Sequence, residues 1–180
     1  MSYFKDGKNT KSDDTSNSKS MEYMNELGRI CLDELMLSSD AYICMIKMNM
    51  HGYKRLHRYL SKKFHDLFLQ TQCKAIENFG TSLDIPDRFQ EYHVNNIKQH
   101  LEKWNDIMKI HIKEVGEVVK GILEEDGYIC CIAQEVQKIL YKNIIKNERA
   151  IDKFNQCDWS KEIIFKHDRY IHEKMKEEDK

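Results

Sequence analysis

The chain is short of proline, of charge imbalance and of long apolar runs, and each shortage excludes a class of protein. One proline among 180 residues argues against a β-sandwich, whose many turns use more of it. Lys and Arg number 29 against 30 Asp and Glu, giving a net charge of -1, so no overall field draws the protein to nucleic acid or to an acidic membrane. No apolar run reaches the roughly 18 residues of a membrane helix. A packed helical domain is the class that remains, and we expect neither nucleic acid nor membrane as a partner.

The cysteines and the N-terminal residues indicate the cellular compartment of the protein and the position at which its folded domain begins. None of the six cysteines stands in Cys-x-x-Cys spacing, so a zinc site is not expected, and scattered cysteines are typical of a reducing compartment. The N-terminus carries no apolar run of a signal peptide, and we expect a cytoplasmic protein. Residues 1–20 are polar and of low complexity, which predicts a disordered tail before a folded domain over 21–180.

From Met21 onward the apolar residues recur at steps of three, four or seven, which predicts long amphipathic helices. We expect Gly52 to end the first helix as a C′ glycine and Gly80 to end the second. Residues 81–95 hold the only proline, Pro86, and are predicted to connect the second helix to the third.

The second half of the chain repeats this pattern. The third and fourth helices are predicted to meet at the turn Asp126-Gly127, and a short fifth helix is predicted to run to about Met175, capped by Asp158 or Ser160. Because four such helices must bury their apolar stripes against one another, the predicted fold is an all-α four-helix bundle with a long crossover between the second and third helices.

Several short motifs share the order and spacing found in one helical family. They are Met24-Asn25-Glu26-Leu27, Tyr42, His51-Gly52-Tyr53-Lys54-Arg55-Leu56, the pair Gly80 and Pro86, and Asp126-Gly127-Tyr128. In this series the chain resembles the ferritin-like superfamily, and most of all the bacterioferritins, from about Tyr23 to Glu173. The resemblance implies a ferritin-like bundle with a short C-terminal helix, and a subunit that forms a homo-oligomer.

The resemblance also implies a di-iron centre, but the ligands for it are missing from the sequence. Such a centre takes glutamates and Glu-x-x-His pairs from the bundle helices, and the chain contains no Glu-x-x-His. The matching positions fall near Leu35, Leu67, Gln70, Met108, Tyr141 and Ile144, with Glu34 and Asp66 next to two of them. The position matching the family's haem-ligand methionine falls near Phe68. We therefore expect a degenerate di-iron centre with doubtful iron binding, no haem, and no enzymatic activity.

Two groups of residues remain as weak candidates for a metal site. His57 and His65 lie eight residues apart on one helix, with Asp66 beside the second, and His111 and Glu114 form an i, i+3 pair. A solvated surface pair is the ordinary interpretation of a histidine beside a carboxylate. For His111, close to the apolar stripe, a buried histidine bonded to a neighbour is the next alternative.

Two functions fit these observations. The first is a ferritin-like subunit for iron storage or for a structural shell, without its own ferroxidase, in which any mineral would form on the carboxylates of Glu114, Glu117, Glu124 and Glu125. The second is a non-enzymatic helical module that binds a protein partner, for example through the methionines Met45, Met48 and Met50, for which ordinary core packing is the other interpretation.

Overall fold

Five α-helices make up the part of the chain that the computed structural model describes, which is residues 13–85, 92–122 and 126–178. The helices are α1 (Asp13–Lys47), α2 (His51–Phe79), α3 (Ile97–Ile122), α4 (Gly127–Gln156) and α5 (Lys161–Glu178). The first four form a bundle in which α1 packs on α2 and α3 packs on α4, with α5 against α2. The predicted bundle with a long crossover and a short fifth helix is confirmed.

The turn between α1 and α2 differs from the predicted one. The helix α1 ends at Lys47 and α2 already begins at His51, so Gly52 lies in the first turn of α2 and does not end α1. The left-handed residue of this turn is Asn49, at φ 58°, and asparagine is the non-glycine residue that adopts this conformation most readily. Gly80, at φ 68°, ends α2 with its amide bonded to the carbonyl of Ile76, as predicted.

The helix α4, which follows α3 after a short turn, begins with a well-formed N-cap. The carboxylate of Asp126 accepts hydrogen bonds from the amides of Tyr128 (2.9 Å) and Ile129 (3.1 Å) at the start of α4, which satisfies amides that no helical carbonyl can reach. Its other oxygen accepts from Asn78 of α2 at 2.8 Å. The predicted turn at Asp126-Gly127 is therefore also the point that ties the ends of α2 and α4 together.

The core is one continuous apolar cluster contributed by all five helices. Its largest fully buried side chains include Trp104, Tyr53, Phe64 and Phe154. The methionines proposed as a partner surface belong mostly to this core, since Met45 and Met50 are buried and Met48 is half-buried against it. Of the two interpretations of these methionines, ordinary core is the one the structure shows, because Met45 lies on the buried stripe of α1 and Met50 is buried in the turn before α2.

The fifth helix packs on the start of α2 by an unusually close backbone approach. A Cβ built on Gly52 would overlap the carbonyl oxygen of Asp168 and lie 2.8 Å from the amide nitrogen of His172. At the same place the buried carboxylate of Asp168 accepts hydrogen bonds from the amides of Gly52 (2.8 Å) and Tyr53 (2.9 Å). Since no side chain of α2 caps its N-terminus, Asp168 of α5 supplies the missing acceptor and a negative charge at the positive end of the helix dipole.

The N-terminal boundary and the connector are only partly described. The helix α1 begins at Asp13, inside the segment predicted as a disordered tail, and residues 1–12 lie outside the described part, as does Pro86. The division into a tail over 1–20 and a domain over 21–180 stays a prediction. In the described ranges no helix is long and apolar enough to cross a membrane.

Candidate functional site

A buried ion pair joins α1 and α3 in the middle of the bundle. The Oε1 atom of Glu34 lies 2.7 Å from Nδ1 of His111, and the two side chains are only 1% and 8% exposed. Asp33 is also near, with Oδ2 3.8 Å from Nε2 of the same imidazole. This pair places a buried carboxylate and a buried imidazole together at the interface between α1 and α3.

The pair continues outward into a network around one arginine. The guanidinium of Arg29 donates hydrogen bonds to Glu26 (2.7 and 3.0 Å), Asp33 (2.6 Å) and Glu114 (2.8 Å). The bond to Arg29 lowers the pKa of Glu26, whereas burial raises the pKa of Asp33 in spite of the same arginine. Three carboxylates are thus held by a single cation between α1 and α3.

Burial and charge act against each other on His111. Burial alone lowers the pKa of the imidazole, but the hydrogen bond and charge of Glu34, with the charges of Asp33 and Glu114, raise the pKa above its ordinary value. The charged imidazolium is therefore the form that this site favours. Its stabilising effect is present below pH 6.5, the ordinary histidine value, and is lost as the pH rises through the raised pKa.

A second polar cluster lies between α2 and α3, and its histidines are neutral. The Nε2 atoms of His57 and His100 are 3.0 Å apart, and Nδ1 of His100 lies 2.7 Å from the hydroxyl of Tyr92. Both imidazoles are fully buried. Burial lowers the pKa of His100 to about 3, and burial together with His100 lowers the pKa of His57 well below its ordinary value.

One assignment of tautomers gives every N–H group of this cluster a hydrogen-bond partner. The hydroxyl of Tyr92 donates to the carbonyl of His100 at 3.0 Å, so Nδ1–H of His100 donates to the tyrosine oxygen and its Nε2 is bare. His57 then donates from Nε2, and its own Nδ1 is a buried acceptor with no partner. Every N–H group of the cluster is bonded in this arrangement, which leaves only one lone pair unsatisfied.

The structure separates the residues that were proposed to share a metal. His57 bonds to His100 and not to His65, which is exposed together with Asp66 on the outside of α2, with 3.9 Å between His65 Nδ1 and Asp66 Oδ1. His111 and Glu114 turn to different partners on α1. Within the described ranges, no three His, Cys, Asp or Glu side chains form a group that could hold a metal ion.

The positions that the resemblance assigns to di-iron ligands are mostly apolar or point outward. At the first of these positions the buried residue is Glu34 and not Leu35, which is a shift of one position along the helix. Asp66, next to Leu67, is exposed. A shift of one residue at any of the other positions therefore does not supply a second buried carboxylate. Of the others, Leu67, Met108 and Ile144 are buried, and Gln70 and Tyr141 are exposed; Phe68, at the haem position, is half-buried. A carboxylate-rich di-iron centre does not fit this residue set.

The hydrogen-bond partners of His57 and His111 were not predicted from the sequence. Glu34 falls on the stripe that carries Leu27, Cys31 and Met45, and His100 on the stripe of Leu101 and Trp104. A charged or polar residue on an apolar stripe signals burial, and a buried polar group needs a partner from another helix. That signal was available in the sequence, although the identity of the partner was not.

We expect Glu34→Gln to lower the free energy of unfolding by about 2 kcal/mol at pH 6, because the charged imidazole loses its counter-charge in a buried site. As the pH rises through the raised pKa of His111 toward pH 9 and the imidazole loses its charge, the loss shrinks. Urea titrations at the two pH values measure both numbers, and NMR titration of His111 reports a lower pKa in the variant. Glu102→Gln, an exposed position on α3, is the matched control, and equal effects of the two variants would contradict the assignment.

With the helices and their polar pairs described, the fold can be compared with known structures. The chain is similar to an open-pore ferritin of the hyperthermophilic archaeon Archaeoglobus fulgidus, with a TM-score of 0.70 over 86% of this chain and 94% of that chain, at 11% identity. A bacterioferritin of Desulfovibrio desulfuricans gives a TM-score of 0.72 over 82% and 86% of the two chains, at 9% identity. The chain has the ferritin-like fold.

This ferritin-like fold is shared without measurable sequence kinship. A humanized archaeal ferritin is similar at the same level, with a TM-score of 0.71 and 12% identity over 86% of this chain and 95% of that chain. The sequence matches no family model and no curated protein sequence. The resemblance expected from the short colinear motifs is therefore confirmed at the level of the fold.

Proposed function

We propose that this chain is a structural subunit of a ferritin-like homo-oligomer and that its bundle centre does not oxidise iron. The observation that carries the proposal is the Glu34–His111 pair. The similar bacterioferritin has a diiron site; here Glu34, the one carboxylate that is fully buried between α1 and α3 among the described residues, is already bonded to an imidazole. A pair of irons would need several more oxygen ligands from the facing helices.

The charges on α3 favour a structural role over mineral nucleation. Glu114 was proposed to face a cavity, but its carboxylate is bonded to Arg29 at 2.8 Å. Glu117 is exposed, with Lys120 at 2.8 Å, and Glu124 and Glu125 lie outside the described part of the chain. Ion-paired carboxylates offer iron less negative charge than a free acidic cluster does.

Exposed apolar residues on α1 and α2 support assembly. Met36 and Ile43 are seven residues apart on α1, and Leu69 and Ile76 are seven residues apart on α2. These four side chains are 38–50% exposed. Ile46 of α1 is also exposed, at 51%. Seven residues are close to two turns, so each pair lies on one line of its helix. Both lines lie opposite the buried stripe of their helix, which makes this face suited to a second copy of the chain.

Native mass and iron oxidation together test the proposal. Light scattering after size exclusion is expected to give a closed oligomer, and aerobic addition of Fe²⁺ is expected to give oxidation no faster than in protein-free buffer. A monomer would remove the shell and favour the alternative of a partner-binding module. Rapid, saturable iron oxidation would contradict the proposed loss of the centre.

We expect Ile43→Glu to reduce the native mass to that of a smaller species while the helical circular dichroism stays unchanged. A charge at the centre of an apolar contact is desolvated without a partner, which weakens association by several kcal/mol. Ile110→Glu, at an equally exposed position on α3 (56%), is the control. If both variants keep the full mass, α1 does not form the contact.

A further inference from the structure

A cavity of about 700 Å³ lies between α2, α4 and α5. Its floor is mainly apolar and includes Leu56, Ala150, Ile171 and Met175. The volume falls within the range of small-molecule sites, which are typically apolar pockets with a few polar groups at defined points.

The rim of this cavity is strongly basic. Its cations are Lys142, Lys146, Arg149 and Lys153 on α4, and Lys166 and Lys174 on α5. The α4 residues follow steps of three and four, so they form a single stripe along the helix. None of the described residues that line the cavity is acidic, although the chain as a whole has a net charge of -1. Lys174 is paired with Glu177, which lies outside the lining, at 3.2 Å. The excess of positive charge therefore comes mainly from the α4 stripe and Lys166, and it favours anions.

The charge of the basic rim contributes to lowering the pKa of a histidine in the cavity lining. His167 is part of the lining, and burial together with the charge of Lys153 lowers its pKa. The imidazole is neutral at pH 7 in consequence and can act as either a donor or an acceptor of a hydrogen bond.

Two buried donors in the cavity wall have no partner within the protein. Tyr53 is 1% exposed and Asn147 is 4% exposed, and neither the hydroxyl of the first nor Nδ2 of the second makes a hydrogen bond. A buried donor without an acceptor costs about 1–3 kcal/mol, and both residues belong to the lining. An oxygen atom of a ligand would give each of them an acceptor.

From this combination we propose that the cavity binds an amphipathic anion, an alkyl chain carrying a carboxylate or phosphate head group. The apolar floor packs against the chain, the hydroxyl of Tyr53 and the amide of Asn147 donate to the head group, and the basic rim neutralises its charge. The proposal is independent of the oligomeric role, because it depends only on groups of one chain.

Calorimetric titration of the full-length protein with laurate and with dodecyl phosphate tests the proposal and distinguishes the two head groups. At least one of the two is expected to bind with one site per chain. Lauryl alcohol, which lacks the charge, and inorganic phosphate, which lacks the chain, are each expected to bind at least about tenfold more weakly. If neither anion binds, or if alcohol or phosphate binds equally well, the proposal fails.

Two variants locate the site. The double variant Lys153→Glu/Lys166→Glu is expected to weaken binding at least about a hundredfold, whereas Lys113→Glu, on the exposed side of α3, leaves it unchanged. Tyr53→Phe is expected to weaken binding about tenfold and to leave the melting temperature of the free protein equal or higher, because an unpartnered donor is removed. Equal affinity in the double variant and in Lys113→Glu, or a lower melting temperature in Tyr53→Phe with unchanged binding, would overturn the assignment.

Discussion

Replacing Gly52 with alanine is expected to lower the free energy of unfolding by at least about 3 kcal/mol. The added methyl group would overlap the backbone of Asp168, and backbone atoms cannot turn aside as the end of a side chain can. To fit it, α5 must move away from α2, and the movement breaks the hydrogen bonds from Gly52 and Tyr53 to the carboxylate of Asp168. Urea unfolding measures the loss.

Gly116→Ala provides the matched control for this prediction. Gly116 lies inside α3, and a Cβ built there meets only the side-chain nitrogen of Gln137, at 3.8 Å. Alanine favours the helix over glycine by about 1 kcal/mol, so this variant is expected to be slightly more stable than the parent. The same substitution thus has opposite effects at two helical glycines, and equal effects would show that α5 does not approach α2 as closely as described.

Lowering the pH from 7 to 5 is expected to lower the free energy of unfolding by at least about 2 kcal/mol, through the buried histidines His57 and His100. Both have folded-state pKa values below the ordinary histidine value, so in this range the unfolded chain binds protons that the folded chain does not. Each such histidine lowers stability by about 1.4 kcal/mol per pH unit below 6.5. The loss continues until the pH reaches the depressed pKa values.

His111 acts in the opposite direction, but at higher pH. Its pKa is raised, so its protonation stabilises the folded state as the pH falls through that pKa to 6.5, and below 6.5 its contribution is constant and does not change the slope. The double variant His57→Gln/His100→Gln removes the destabilising titration and is expected to flatten the dependence of the free energy of unfolding on pH between 5 and 7. A slope equal to that of the parent would show that these histidines are not the cause.

The sequence predicts the helices well because their signals are local. The apolar periodicity placed the first four helices, and the candidate caps Asp158 and Ser160 indicated the fifth. Gly80 and Asp126 set two helix ends by conformations or caps that involve only near neighbours. Gly52 was misinterpreted since its role is not local. A glycine at a helix end and a glycine beneath a crossing helix look alike in sequence, and only the position of α5 distinguishes them.

The polar pairs were harder to predict because they depend on how the helices are rotated against each other. The partner of His111 is Glu34, 77 residues away, and the partner of His57 is His100, 43 residues away, whereas the expected partners were three and eight residues away on the same helix. A rotation of one helix by a single residue, about 100°, replaces Glu34 with Leu35 at the interface. The cavity beside α5 was missed for the same reason, although its basic stripe on α4 is visible in the sequence.

The cap that Asp168 provides has a consequence for the order of synthesis. The amides of Gly52 and Tyr53 receive their acceptor from a residue 116 and 115 positions later in the chain. While the chain is still growing on the ribosome, the N-terminus of α2 therefore has no acceptor for these amides until α5 has been synthesised. A nascent or prematurely terminated chain that stops before α5 keeps these two amides without their partner. It also leaves uncovered the part of α2 on which α5 packs. Such a chain is the form that quality-control proteases and chaperones would distinguish most easily from the finished protein.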